Sequence, residues 1–167
     1  MRSVGDDARR YAWCRGQAVW IMGPPIAQWA EDVEGAAEAG QDGLVRHGAT
    51  AIGQECAVMI ALVTCKERPL PVASLRAAWA LERIRDHELW ADCWELVRGA
   101  PNDASNEEVL ARCRRLVDAV RPLVGDVPDP LTPEGYFPAL ALARDWLKLL
   151  DTVGEEGFLP REWTDGK

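Results

Sequence analysis

Lysine and histidine are scarce in this sequence, and its charge balance is acidic. The 167 residues include 27 aspartates and glutamates against 19 lysines and arginines, and only Lys66, Lys148 and Lys167 are lysine. The net charge is −8, with two histidines taken as neutral. Binding to nucleic acid needs a basic stripe that faces the phosphates, and the sequence has no such stripe. The charge instead favours a cationic ligand or a basic protein surface.

Long apolar runs are also missing. No stretch approaches the roughly 18 uninterrupted apolar residues of a membrane-spanning helix. The longest mainly apolar stretch, residues 57–65, is followed at once by Lys66, Glu67 and Arg68, which predicts a buried helix. The charged residues near the start of the chain are not followed by the apolar core and cleavage site of a secretory signal. We therefore expect a cytoplasmic protein without a membrane partner.

The cysteines lack the spacing of a metal or redox site. Their number is odd, and neither a CxxC nor an HxxxH pattern occurs. Each cysteine lies within an apolar helical pattern, which favours buried thiols over the two alternatives, a disulfide framework and a zinc site. No metal ion and no cofactor are therefore expected. The cysteines are Cys14, Cys56, Cys65, Cys93 and Cys113.

Tryptophan, by contrast, is abundant, with eight residues against two phenylalanines and two tyrosines. Burying so many large rings usually takes a core together with an interface or a ligand groove. Trp79, Trp90 and Trp94 form the densest group. Core packing is the default interpretation of these three. An anchor for a protein partner is the alternative, because tryptophan is enriched where partners dock.

The apolar pattern predicts helices throughout. No convincing alternation of apolar and polar residues occurs, so strands are not expected, and proline and glycine divide the chain into helical segments. At this length the sequence predicts one all-α domain, a bundle of about six to seven helices over residues 1–153 with a tail at 154–167. The predicted helices span residues 7–22, 26–40, 50–66, 74–86, 88–98, 106–123 and 134–153.

Two of these helices carry strong signals. Residues 50–66 are apolar on nearly every face, which is typical of a central helix surrounded by others. Ser105 and Glu108 have the spacing of a capping box at the start of the sixth helix. Ser74 is the predicted N-cap of the fourth. These signals place a central helix and two of the helices that pack around it.

The segment AVMIALVTCKERPLPVASLRAAWALERI, residues 57–84, resembles the helix-turn-helix core of the C-terminal domain of aminoglycoside adenylyltransferases. RGQAVWIMGP at residues 15–24 is similar to the start of that domain, and residues 95–99 with the following helix are similar to its end. The resemblance covers roughly residues 15–124. It implies a helical domain that normally closes over the catalytic half of a nucleotidyltransferase.

The departures from that family bear on activity. Its catalytic half carries a Gly-Ser motif followed by paired acidic residues, and no such combination occurs in this sequence. Metal-assisted adenylyl transfer needs those carboxylates close together. The family resemblance also implies basic phosphate-binding residues at positions that are occupied here by Ile60 and Ala73. We therefore expect that the chain does not transfer nucleotides by itself.

The candidate site lies around GQDGLVRHGAT, residues 40–50, which is predicted to be a short loop where the family holds its ligand. Asp42 and His47 belong to this segment, and Gln54 and Glu55 are expected to open the helix after it. With the three tryptophans named above, they form the predicted surface for a substrate or partner. A solvated loop histidine is the alternative interpretation of His47.

Three functions remain open. The chain is expected to be a non-catalytic subunit that pairs with a separately encoded catalytic chain and helps form a small-molecule site, in antibiotic or other natural-product biosynthesis. A stand-alone helical enzyme would use His47 with Glu55 or Asp42 as acid and base. A third possibility is a module that sequesters a cationic antibiotic on an acidic row, which is otherwise a solvated helix face. The acidic row consists of Glu31, Glu34 and Glu38.

Overall fold

The computed structural model describes residues 14–66, 73–100, 103–125 and Glu134, and every regular element among them is helical. The predicted all-α class is therefore confirmed. The predicted count of six to seven helices is not, because the last predicted helix beyond Glu134 and the tail lie outside the described residues. Residues 14–22 are helical and are followed by α1 (Pro24–Glu38), α2 (Asp42–Cys65), α3 (Ala73–Arg83), α4 (Trp90–Val97), α5 (Asn106–Val120) and a 3-10 turn (Arg121–Val124).

The central helix of the bundle is α2, as predicted. It contacts α1, α3, α4 and α5, and every residue from Cys56 to Leu62 is buried. A helix that is apolar on all sides needs neighbours on all sides to cover it. By length and composition alone α2 could also cross a membrane, but most of its apolar window is buried in the fold. That makes it weak evidence for a membrane span.

The start of α2 corrects the prediction of a loop at residues 40–50. The helix begins at Asp42 rather than at Thr50, so this segment forms its first two turns. Glycine lowers intrinsic helix propensity, but here it allows a close helix crossing. A Cβ atom at Gly48 would overlap the side chain of Val33 in α1. The missing side chain lets α1 pack directly on α2, and this packing outweighs the weak local propensity.

Hydrogen bonds tie this first part of α2 to the segment that joins α4 and α5. The Arg46 guanidinium donates to the carbonyl oxygen of Ala104 at 2.8 Å. The hydroxyl group of Thr50 lies 3.2 Å from the carbonyl oxygen of Leu96 and 3.0 Å from that of Arg46, within its own helix. These bonds satisfy backbone carbonyls at the end of one helix and before the next. They hold residues 42–50 in place from outside the helix.

A second glycine brings α2 against α4. A Cβ atom at Gly53 would lie 2.8 Å from Cβ of Leu96, and 3.2 Å from both the carbonyl oxygen of Cys93 and the backbone nitrogen of Val97. The distance to Cβ of Leu96 is shorter than real Cβ contacts, and the two backbone distances are tight, so an added Cβ would force part of α4 to shift. Gly53 therefore permits a direct contact between the two helix backbones. Gly53 lies within α2 and not in a loop, and its role is to let α2 pack against α4.

Three other helix starts also differ from the prediction. Helix α1 begins at Pro24 rather than near residue 26, because proline fits the first turn, where its missing N–H group is not needed. Helix α3 already includes Ala73, so Ser74 lies inside the helix and is not its N-cap. Helix α4 begins at Trp90, two residues after the predicted start.

The capping box of α5 is confirmed. The hydroxyl oxygen of Ser105 accepts the backbone N–H of Glu108 at 3.2 Å, and the Glu108 carboxylate accepts the backbone N–H of Ser105 at 2.7 Å. That backbone hydrogen bond is the main reason why the pKa of Glu108 is lowered. The reciprocal pair fixes the first turn of α5, so the direction of this helix is set locally.

Candidate functional site

The predicted site residues on α2 do not form one site. Asp42 is the first residue of the helix and Glu55 lies 13 residues later, which at 1.5 Å per residue separates them by about 20 Å along the axis. Asp42 is exposed and accepts a hydrogen bond from the Asn106 side chain at 2.8 Å. It therefore serves as a contact between α2 and the start of α5.

His47 is exposed on the surface of α2, not in a loop. Its ring and that of Trp29 form a T-shaped pair, with 5.6 Å between ring centroids and an interplanar angle of 75°. His47 and Glu55 are eight positions apart, which corresponds to about 12 Å along the helix. Of the two pairings considered for a stand-alone enzyme, that of His47 with Glu55 is thus spread along the helix.

Gln54 and Glu55 lie in the middle of α2, where both are half-buried, and not at its start as predicted. Burial raises the pKa of the Glu55 carboxyl group, and the positive charge of Arg76 in α3 partly opposes this effect. A carboxyl group with a raised pKa in a cleft is a candidate acid. Because its pKa is raised in the folded state, Glu55 also makes the stability of the fold depend on pH.

The three predicted tryptophans have different environments. Trp79 is 7% exposed and belongs to the core, as the default interpretation has it. Trp90 is half-buried, and its indole N–H donates to the carbonyl oxygen of Leu81 at 3.1 Å. Trp94 is 38% exposed, which is unusual for so large an apolar side chain. Only Trp94 among the three presents an open surface.

Trp90 and Trp94 of α4 form a layered structure with Arg98, the residue directly after this helix, called here the indole platform. The two indole rings stack with 5.7 Å between centroids and an interplanar angle of 12°. The Arg98 guanidinium lies 5.8 Å from the centre of the Trp94 ring, within range of a cation–π contact. Arg98 was not among the residues predicted from the sequence, although it follows Trp94 at a helical spacing of four residues. The layering holds Trp94 in one orientation.

An ion pair borders the platform. Glu95 accepts a hydrogen bond from Arg112 of α5, and both side chains are partly exposed. This pair links α4 to α5 and neutralises both charges locally. The exposed surface of α4 therefore combines an aromatic centre with one cation, Arg98, and one anion, Asp92.

A groove lies on another side of the bundle, between α1 and α5. Its volume is about 270 Å³. Its floor is apolar and includes Val33, Ile52 and Val117, while Glu34 and Arg114 face each other at its edge. Both Nε and Nη2 of Arg114 donate to one carboxylate oxygen of Glu34, at 3.2 and 2.7 Å. The groove is concave, which suits a small molecule better than a protein surface.

The acidic row of α1 is exposed at all three positions, in agreement with the interpretation as a solvated face. Glu34 is the member that reaches the groove, and its partner Arg114 lies 80 residues away in sequence. The Glu34 carboxylate raises the pKa of Arg114, mainly through their hydrogen bonds. No sequence pattern indicates a pair across such a distance.

The thiols are placed for packing rather than chemistry. All five cysteines are thiols outside disulfides, and all are buried except Cys65, which is half-buried, so the predicted buried thiols are confirmed at four positions. Burial raises the pKa of Cys93 to about 12 and that of Cys113 to about 11, so both stay protonated near neutral pH. Within the described ranges no group of three or more histidine, cysteine or carboxylate side chains is arranged to hold a metal ion.

Comparison of the chain with protein-family models, with curated proteins and with solved structures finds no match. Two surfaces are distinguished by their own geometry. The indole platform has the residue types that dominate protein interfaces, and the groove has the apolar floor and polar edge of a small-molecule site. The two share no residue, so they can act independently.

Proposed function

We propose that this chain is a non-catalytic helical subunit that docks onto a separately encoded protein through the indole platform. The resulting complex forms a small-molecule site and serves antibiotic or other natural-product biosynthesis. The docking surface is inferred from geometry. The biosynthetic setting is inferred from the resemblance of residues 57–84 to helical domains of aminoglycoside adenylyltransferases, which close over a catalytic half.

One observation carries the docking proposal: a large exposed indole is held rigidly. Trp94 is 38% exposed, yet it stacks on Trp90, and Trp90 is fixed by its hydrogen bond to Leu81. A side chain that is already held in one orientation loses little conformational entropy when a partner covers it. Tryptophan and arginine are also the residue types most often found at energetic hot spots. The platform combines these properties.

The platform sets requirements for the partner. The indole of Trp94 needs an apolar pocket, and the guanidinium of Arg98 above it needs a carboxylate at the edge of that pocket. Glu95 is already paired with Arg112 and needs no further counterion. Farther out, exposed Asp92 and the net charge of −8 favour basic groups on the partner.

The proposal is tested by co-expressing the tagged chain with the proteins encoded next to it and measuring the mass of any complex by light scattering. We expect one stoichiometric hetero-oligomer. Changing Trp94 to alanine should weaken the complex about thirtyfold, because truncation of a hot-spot tryptophan costs about 2 kcal/mol or more. Binding constants from calorimetry on the purified partners measure this change.

Leu44→Ala and Leu75→Ala are the matched controls, because these side chains are 56% and 52% exposed but lie on α2 and α3. Neither should change the affinity. A complex that tolerates Trp94→Ala but not one of the leucine changes would place the interface elsewhere. A purified monomer that turns over a substrate without a partner would reject the subunit proposal.

A further inference from the structure

The groove between α1 and α5 plays no part in the proposed docking. Its size and its apolar floor indicate which kind of ligand would fit it. Val33 and Ile52 are each 1% exposed and Val117 is 6% exposed, so the floor consists of packed core side chains. Such a surface changes little on binding. The volume of about 270 Å³ is just below the roughly 300 Å³ at which pockets for drug-sized ligands begin. The fitting occupant has one ring or a short alkyl chain.

The two walls of the groove differ in charge. Helix α1 carries four acidic residues and no lysine or arginine, whereas α5 carries three acidic and three basic residues, so its charges cancel. Arg121, which follows α5 and also lines the groove, adds one positive charge, so the charge around the groove is still negative on balance and attracts a cation. The acidic residues of α1 are Glu31, Asp32, Glu34 and Glu38; those of α5 are Glu107, Glu108 and Asp118, beside Arg112, Arg114 and Arg115.

A cationic ligand can replace the Arg114 guanidinium as the partner of Glu34. The side chains are 50% and 64% exposed, and ion pairs this open contribute little to stability. The two side chains differ in reach: Arg114 is long enough to turn into water and remain solvated, whereas the shorter Glu34 stays at the edge of the groove. A ligand ammonium group can therefore replace the guanidinium at Glu34. A ligand carboxylate would instead lie beside Glu34 and be repelled.

We infer that the groove binds a small apolar monocation, with its ammonium group at Glu34 and its ring or alkyl chain on the floor. The apolar floor supplies affinity through burial, and the carboxylate orients the ligand. This site is separate from the indole platform. Failure of one proposal leaves the other intact, and Trp94→Ala should not affect ligand binding.

The charge requirement is tested by titrating the full chain with phenethylammonium, 2-phenylethanol and 3-phenylpropanoate, followed by NMR of the backbone amides. The three probes share a phenyl ring and differ in charge. We expect phenethylammonium to bind most tightly and the carboxylate most weakly. The shifted resonances should belong to residues that line the groove, such as Val33, Ile52 and Cys113.

Two single changes should move the affinity in opposite directions. Glu34→Gln should weaken binding of phenethylammonium about tenfold and leave 2-phenylethanol unchanged, because only the cation uses the carboxylate. Arg114→Gln removes the competing guanidinium and should strengthen binding of phenethylammonium severalfold. Glu82→Gln, an equal change of charge at an exposed position on α3, is the control and should change neither affinity.

Three results would overturn the inference. One is equal affinity for the three probes. Another is an affinity for phenethylammonium that responds to neither Glu34→Gln nor Arg114→Gln. The third is a set of shifted resonances that lies away from the groove. Both variants change exposed side chains only, so loss of folding does not stand in the way of a clear result.

Discussion

The contact of α2 with α4 and the contact of α1 with α5 are built in opposite ways. At the first, Gly53 lets two backbones meet, and even one added carbon would lie 2.8 Å from Cβ of Leu96. At the second, the helices leave a groove of about 270 Å³ and meet at its edge through Glu34 and Arg114. The difference shows how a small bundle separates tasks: one contact concentrates packing stability, and the other leaves room for a ligand.

The largest expected effect comes from adding one carbon to the closed contact. Gly53→Ala should lower the free energy of unfolding by about 2 kcal/mol, because the new Cβ must displace the backbone of α4 and the gain in helix propensity offsets only part of this. Urea denaturation followed by circular dichroism measures the change.

Gly35→Ala is the matched control. This glycine lies in α1, and a Cβ atom there would meet nothing within 4 Å. The variant should be more stable by about 0.5 to 1 kcal/mol through helix propensity alone. An equal change in the free energy of unfolding for Gly53→Ala and Gly35→Ala would contradict the close approach of α2 and α4.

Adding carbon atoms in the groove between α1 and α5 should change the free energy of unfolding in the opposite direction. Ala30 lines the groove, and Ala30→Leu adds three carbons to a space that can take them. We expect the free energy of unfolding to rise by up to about 1 kcal/mol through extra burial. The same variant should abolish binding of phenethylammonium. A loss of stability as large as that of Gly53→Ala would mean that the groove is not open.

A third contact of the central helix, with α3, should respond to pH. Burial raises the pKa of Glu55 in the folded state, so its ionisation lowers stability as the pH rises through the folded pKa. Glu55→Gln should therefore be more stable than the original chain at pH 7, by less than about 1 kcal/mol, since the group is only half-buried. The difference should vanish below 4.5, the ordinary pKa of a glutamate side chain, where the folded and unfolded states both bind the proton. Urea denaturation at pH 7 and pH 4 measures it, and a constant difference would contradict the assignment.

The smallest effect on stability is expected at the edge of the groove. Glu34→Gln should change the free energy of unfolding by less than about 0.5 kcal/mol, because both members of the pair are at least half exposed. Its effect on phenethylammonium affinity should be about tenfold. A large loss of stability would make the pair a structural support and weaken the argument for exchange.

Local signals predicted the parts of the fold that local interactions decide. The capping box at Ser105 and Glu108 depends on two residues three apart, and the sequence located it correctly. The first turns of α2 were predicted as a loop from the family resemblance, and Gly43 and Gly48 in this segment have low helix propensity. Their helical state depends on packing against Val33 and on hydrogen bonds to residues about 50 positions away, which no local window contains.

The candidate sites could likewise be predicted from the sequence only in part. The sequence identified Trp79, Trp90 and Trp94 as a group, but it could not rank them, because their spacing does not say which ring faces solvent. The structure assigns exposure to Trp94. The groove was beyond sequence analysis altogether, since it depends on how incompletely two distant helices fill the space between them.

The docking proposal is tested most directly by hydroxyl-radical footprinting of the chain alone and in complex with its partner. We predict that oxidation of Trp94 falls severalfold in the complex, while Leu44 and Leu75, the other large apolar side chains exposed among the described residues, react at unchanged rates. An oxidation rate of Trp94 that is the same in both states would contradict the proposed interface.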